Sequence, residues 1–258
     1  MKLNIYNLNF EYYKGYKILE NINLEINNEE IVCILGRNGS GKTTLIKCIN
    51  RLLENYSGNI TIDGHNIKKL RKIELAQNIA YIPQLHRIVF NFEVIDFVVM
   101  GRYPHMGFFS NPSDDDYEIA YRNLKELGIE HFYSKNFNEL SGGEKQIVLV
   151  AKAITQEPKM FMLDEPTNHL DFKNQHSILK LIRKIAKRKR INVLLTMHNP
   201  NLAYRYCDRF IMLKEGQIYK SGRREDVFKE NILNKIYDME LAINSLDEDG
   251  KVITPKNS

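Results

Sequence analysis

The sequence predicts an α/β fold with a mainly parallel sheet, antiparallel strands near the amino terminus, and a helical segment inserted into the core. Three observations carry this. The run Ile31-Val32-Cys33-Ile34-Leu35 is continuously apolar, as a strand covered on both faces requires, and it passes through glycines into a helical pattern. Short apolar strands at residues 60–62, 79–82, 160–163, 193–196 and 209–213 are mostly separated by helical patterns, the order that parallel crossovers impose. Between about residues 84 and 158 this alternation stops, and consecutive helices are expected around 94–100, 114–127 and 142–155 with no strand among them.

Taken in order, Leu3, Ile5, Leu8 and Phe10 alternate with polar residues, and Ile22-Asn23-Leu24-Glu25-Ile26 repeats that period, so both segments read as half-buried antiparallel strands. After the buried strand, Leu45, Ile46, Ile49, Leu52 and Leu53 mark a helix. Later, Ile178, Leu179, Ile182, Ile185 and Ala186 form an apolar stripe on the helix that carries Arg183, Lys184, Lys187, Arg188, Lys189 and Arg190. The basic run therefore reads as a solvated helix face rather than a nucleic-acid patch.

The 258 residues, 43% hydrophobic and 27% charged, exclude a disordered chain, a collagen-like repeat and a mini-protein. A net charge of +5 could favour nucleic acid or anionic lipid, but it is small beside 37 basic and 32 acidic residues. The most apolar stretch, residues 88–100, is interrupted by Asn91, Glu93 and Asp96, and the amino terminus lacks the apolar core of a signal peptide. Neither a membrane span nor secretion is expected. Cys33, Cys48 and Cys207 are odd in number and widely spaced, which suggests buried thiols in a reducing compartment rather than a zinc site or a disulfide framework.

Three motifs carry chemistry. Gly36-Arg37-Asn38-Gly39-Ser40-Gly41-Lys42-Thr43 fits G-x-x-x-x-G-K-[ST] between a strand and a helix. Its glycines let backbone N–H groups turn toward phosphates, Lys42 reaches the outer phosphates, and the Thr43 hydroxyl can ligate Mg²⁺. Met160-Phe161-Met162-Leu163-Asp164-Glu165 is an apolar strand ending in two carboxylates. Neighbouring strand ends converge on one crevice, so Asp164 is expected beside the metal, and Glu165 facing the γ-phosphate to orient and deprotonate a water. Leu140-Ser141-Gly142-Gly143-Glu144-Lys145-Gln146 opens a helix with capping-box spacing, Ser141 to Glu144, and its glycines let a phosphate approach the helix end.

The order phosphate loop, LSGGEKQ, MFMLDEP resembles the ABC ATPase family over about residues 3–220. The resemblance implies a P-loop ABC ATPase core at residues 1–84 and 158–222, a helical subdomain at about 85–157, and a carboxyl-terminal extension at 223–258. It also implies ATP and Mg²⁺ as ligands. ATP would be held by Tyr12, by Gly36, Arg37, Asn38, Gly39, Ser40, Gly41, Lys42 and Thr43, and by Thr44. Tyr12 matches the aromatic that stacks on adenine, with Tyr13 and Tyr16 as alternatives. Gln84 matches the glutamine of the loop to the helical subdomain, which contacts Mg²⁺ together with Thr43 and Asp164. His198 matches the histidine that holds the γ-phosphate, although Asn199 follows it where an aspartate is common. The catalytic set so implied is Glu165, His198, Gln84 and Lys42. Leu140, Ser141, Gly142, Gly143, Glu144 and Gln146 would act on ATP bound by a second subunit, and Asp171 would communicate across that homodimer.

A narrower resemblance lies in Met100-Gly101-Arg102-Tyr103-Pro104-His105-Met106-Gly107 and in Leu170-Asp171 followed by Gln175, which look like the ATPases of importers for iron-siderophores, haem and vitamin B12. It implies a peripheral protein on the cytoplasmic face of the cell membrane. Its partners would be integral membrane permease subunits and, indirectly, an extracytoplasmic substrate-binding protein, with no nucleic acid. The segment Gln84 to Phe109, with Tyr103, Pro104, Met106, Phe108 and Phe109, would form the permease docking surface. A soluble ABC ATPase acting in translation or DNA repair is the rival reading, supported by Glu165-Pro166-Thr167-Asn168-His169-Leu170-Asp171; an exporter ATPase is a second.

Overall fold

The computed structural model describes residues 1–27, 29–84, 91–107, 110–246 and 250–256. Phe108 and Phe109, expected in a docking surface, lie outside the described residues. In chain order the elements are β1 (Leu3–Glu11), β2 (Lys17–Ile26), β3 (Ile31–Leu35), α1 (Lys42–Ile49), β4 (Tyr56–Ile62), β5 (His65–Asn66), α2 (Lys72–Asn78) and β6 (Ile79–Ile82). There follow α3 (Val94–Val99), α4 (Asp114–Glu126), α5 (Gly142–Thr155), β7 (Met160–Asp164), α6 (Phe172–Lys189), β8 (Asn192–Met197) and α7 (Pro200–Tyr206). The chain closes with β9 (Arg209–Lys214), β10 (Gln217–Gly222), α8 (Arg224–Val227), α9 (Glu230–Tyr237), β11 (Leu241–Leu246) and β12 (Gly250–Pro255).

The central sheet runs β10-β9-β3-β8-β7-β6. Its neighbours pair in parallel, except that β10 joins β9 as an antiparallel edge. Alternate side chains on each inner strand supply two separate apolar layers, as a strand buried on both faces must. Ile31, Cys33 and Leu35 of β3 face one layer with Phe161, Leu195, Phe210 and the helices α3 to α7. Val32 and Ile34 face the other with Met162, Leu194, Ile211 and α1. The second layer is closed by the antiparallel sheet β2-β1-β4-β5, giving three layers in all.

In β1 the buried positions shift from Leu3 and Ile5 to Leu8 and Phe10 because the register slips there, and Asn7 adopts a left-handed φ of 48°. An extra residue at a bulge restores the apolar face, which explains the broken alternation in the sequence. Helix α1 is shorter than its apolar pattern: it stops at Ile49, Arg51 turns left-handed at φ 54°, and Leu52 is exposed. The inserted helices agree closely with expectation, since α5 spans Gly142–Thr155 and the one bridge among the described residues of this segment is the isolated pair Glu93 and Asn136. Cys33, Cys48 and Cys207 are buried free thiols, and burial pushes the Cys48 thiol up to about 12. On α6, Ile178, Leu179, Ile182, Ile185 and Ala186 are buried, while Arg183 pairs with Asp208 at 2.9 Å and Arg188 with Glu126. Among the described residues no helix is long and apolar enough to cross a membrane.

Candidate functional site

The central strands deliver their carboxyl ends to a cleft of about 580 Å³, lined by Ile18, Asn38, Gly39, Gly41, Lys42, Thr43, Thr44, Gln84, Glu165, Asn168 and His198. The loop from Gly36 to Gly41 joins β3 to α1. Gly41 takes φ 102°, and a side chain there would press on Leu19 and the carbonyl of Ile18, so glycine is required. No side chain caps α1. The N–H groups of its first turn are therefore left to an incoming anion, at the positive end of the helix.

Glu165 is the hub. It sits at the end of β7 in the left-handed region, φ 48°, a conformation costing roughly 1–2 kcal/mol for a residue with a side chain. Such strain persists where surrounding contacts fix it. Its Oε2 accepts from Asn168 Nδ2 at 2.6 Å and from Gln84 Nε2 at 3.1 Å, and lies 3.9 Å from His198 Nδ1. Its Oε1 is 3.6 Å from Lys42 Nζ. Lys42, only 5% exposed, also donates to the carbonyl oxygens of Gly36 at 2.9 Å and Arg37 at 3.1 Å.

Asp164 stands behind this hub rather than in the cleft lining. It is 2% exposed and accepts a 2.6 Å bond from the Thr196 hydroxyl, which in turn accepts from the Glu165 N–H at 2.8 Å. One buried hydroxyl thus orders both carboxylate residues. Thr196 and Asn168 received no role from the sequence. The signal for Thr196 was a lone hydroxyl in the apolar run Val193-Leu194-Leu195, because a buried polar group needs a partner. For Asn168 it was the three-residue spacing from Glu165, across a turn closed by Asn168 N–H to Glu165 C=O at 3.1 Å.

Other expected residues lie elsewhere on the chain. Tyr12, Tyr13 and Tyr16 are exposed and do not line the cleft; Tyr12 packs edge-on against Phe10 and borders a neighbouring hollow, while Ile18 flanks the phosphate loop. Ser141 caps α5 in a reciprocal box with Glu144, and Leu140 is buried beneath it. Neither these nor Gly142, Gly143 and Gln146 line the cleft. A side chain at Gly143 would come within 2.8 Å of Asn174, whose amide donates to Asp171 at 2.9 Å. Asp171 caps α6, so the starts of α5 and α6 form one surface.

A model of the ABC transporter family matches residues 19–168. This chain belongs to the ABC transporter ATP-binding proteins. Like them it binds ATP and hydrolyses it to drive transport. The chain is 48% identical over 221 residues, 85% of each protein, to an uncharacterized ABC transporter ATP-binding protein of Methanocaldococcus jannaschii. It is 36% identical to a probable iron chelatin transport ATP-binding protein of Helicobacter pylori, covering 93% of this chain and 94% of that one. Among solved structures it is similar to an inward-facing putative metal-chelate type ABC transporter, with TM-score 0.86 and 28% identity over 99% of this chain and 97% of that chain.

Within this ABC ATPase the Met100–His105 turn is a short 3-10 helix held from inside. Arg102 is buried and pairs with Asp116 at 3.0 Å and Glu157 at 2.7 Å, and donates to the Thr155 carbonyl at 3.1 Å. Tyr103 stays 52% exposed. Beside the turn, where Gln77 of α2 donates to Pro104, a hollow of about 340 Å³ is lined by Asn50, Leu52, Leu75, Ala76, Tyr81 and Gln156, with none of the described residues 91–107 among them.

Proposed function

We propose that this chain is the ATP-hydrolysing subunit of an importer for a metal chelate, of the iron-siderophore, haem or cobalamin class. The observation that carries the chemistry is the convergence of Lys42, Gln84, Asn168 and His198 on Glu165 in one cleft. The observation that favours the cargo class is the similarity to a metal-chelate type transporter over nearly the full chain, with that to an iron chelatin transport protein beside it.

In this reading the phosphate loop and Lys42 bind the β and γ phosphates, and Glu165 takes the proton of the attacking water while Asn168 and Gln84 fix its carboxylate. His198 holds the γ-phosphate. Tyr12 stacks on adenine, and residues 223–258 extend an ATPase domain of residues 1–222. Mg²⁺ fits the donors present, since it needs only a few oxygen ligands besides phosphate and the side chains of Thr43 and Gln84 offer them in the cleft. Thr43 and Gln84, which line the cleft, would hold it, with the buried Asp164 carboxylate behind them, and the ion would neutralise charge on the transferring phosphoryl group.

Since the Ser141 helix lies outside the chain's own cleft, a second copy supplies it, with two subunits head to tail and Asp171 at the seam. The pair works from the cytoplasmic face of the cell membrane on separate permease subunits, which receive substrate from an extracytoplasmic binding protein. The exposed Tyr103, with Pro104 and Met106 beside it in the chain, would dock a short permease helix. Co-purification with the co-expressed permease, followed by ATP-driven uptake of iron chelates and cobalamin into vesicles, tests this. Sedimentation with ribosomes or DNA and no uptake of any chelate would reverse the reading.

A further inference from the structure

The carboxyl-terminal segment reaches the catalytic cleft from outside the residues matched by the family model, 19–168. Helix α9 ends at Tyr237, whose hydroxyl donates to the carbonyl oxygen of His198 at 3.1 Å. The next residue, Asp238, turns left-handed at φ 50° and closes the helix. Its Oδ2 accepts from Arg37 Nη1 at 2.6 Å, and its Oδ1 from Lys214 Nζ at 2.6 Å. Lys214 also donates to the Lys235 carbonyl at 2.7 Å, in the last turn of α9, where helical carbonyls lack internal partners. Farther on, Asn201 exchanges two hydrogen bonds with the backbone of Ile253, at 2.8 and 3.0 Å. The β11–β12 hairpin is thereby fastened to α7, which starts two residues after His198.

We propose that Tyr237 and Asp238 are positioning residues for ATP hydrolysis, Tyr237 holding the main chain of His198 and Asp238 holding the Arg37 side of the phosphate loop. The inference rests on the reading that His198 and the phosphate loop act on ATP. The Tyr237 ring packs against the main apolar core, so its hydroxyl is a fixed point, and burial keeps that hydroxyl a neutral donor by raising its pKa. Anchoring the His198 peptide limits where its imidazole can sit relative to Glu165, 3.9 Å away. Arg37 matters through its own backbone, because its carbonyl is one of the acceptors that hold Lys42. A side chain tied to Asp238 restrains that peptide. The Asp238 pairs are solvent-exposed, and such pairs add little to global stability. Their consequence is therefore local, on the loop.

Steady-state ATP hydrolysis by the full chain, with melting temperatures measured in parallel, tests the proposal. Tyr237→Phe removes one hydroxyl, and kcat is expected to fall about three- to tenfold, the worth of one hydrogen bond, with KM for ATP nearly unchanged. Asp238→Asn is expected to raise KM by a similar factor with a smaller effect on kcat, and Asp238→Glu to recover part of the loss. Asp238 is exposed, so its variants stay folded whatever Tyr237→Phe does. Unchanged kcat and KM in both variants, or losses that follow melting temperature with no split between the two constants, would overturn the proposal. Glu165→Gln run alongside separates the premises: turnover at the wild-type rate there would overturn the underlying site assignment instead.

Discussion

At the scale of the residue, the cleft joins groups that the motifs announce to groups that only folding brings in. Lys42 is the one lysine lining the cleft among the described residues. Lys42→Ala is expected to abolish productive ATP binding, and nucleotide titration showing wild-type affinity would contradict that. Thr196 makes a sharper case. Its hydroxyl, with no exposure at all, serves Asp164 and the Glu165 N–H together. Thr196→Val keeps the shape and strands both partners in a buried place, where an unsatisfied group costs about 1–3 kcal/mol. Denaturant unfolding is expected to show a loss in that range, with slowed hydrolysis; a Val variant as stable and active as wild type would remove Thr196 from the site. Phosphate-loop residues were legible because glycine, lysine and hydroxyl at fixed spacing have one chemical sense. Thr196 was not, because its partners lie 31 and 32 positions away.

Elements show the same division. Periodicity placed α5 to the residue because Ser141 caps it and its apolar face is regular. It overran the end of α1, since Leu52 and Leu53 continue the pattern after the backbone has turned at Arg51. The docking surface is expected over Gln84 to Phe109; within it the Met100–His105 turn buries Gly101 and Arg102 and leaves Tyr103 exposed. Arg102 ties this turn to α4 through Asp116 and to the end of α5 through Thr155 and Glu157. Arg102→Ala leaves the partly buried Asp116 carboxylate and the Thr155 carbonyl without their cation, and a loss on the order of 3 kcal/mol is expected in urea unfolding. The same network carries a pH dependence. Burial opposes ionisation of Asp116, but the Ser113 N–H and hydroxyl and the Arg102 guanidinium outweigh it, so the carboxyl is held below its usual range. A carboxylate with a lowered folded pKa contributes stability above its unfolded value, near 3.8, and loses it as pH falls through the folded value. Urea titrations below pH 4 should show Asp116→Asn and wild type converging, whereas a constant gap would deny the carboxylate that role.

For the whole molecule, the alternation of buried strands and helices sufficed to foresee the central sheet, since a strand covered on both faces leaves an unbroken apolar run. The carboxyl-terminal elements left no comparable trace. Helix α9 and the β11–β12 hairpin are short, and they depend on long-range partners such as Arg37, His198 and Asn201. The architecture sets the Ser141 helix and Asp171 on one surface, apart from the lining of the cleft that holds Lys42 and Glu165. A site completed by a second copy of the chain is the central claim. The most direct measurement is the molecular mass of Glu165→Gln by size-exclusion chromatography with light scattering, with Mg²⁺ and ATP present, next to its rate of hydrolysis. Glutamine fills the position without accepting a proton, and positioned base catalysis contributes ~10²–10⁴ in rate. The account predicts an ATP-dependent homodimer with hydrolysis slowed by about 10² or more; a monomer hydrolysing ATP at the normal rate would contradict it.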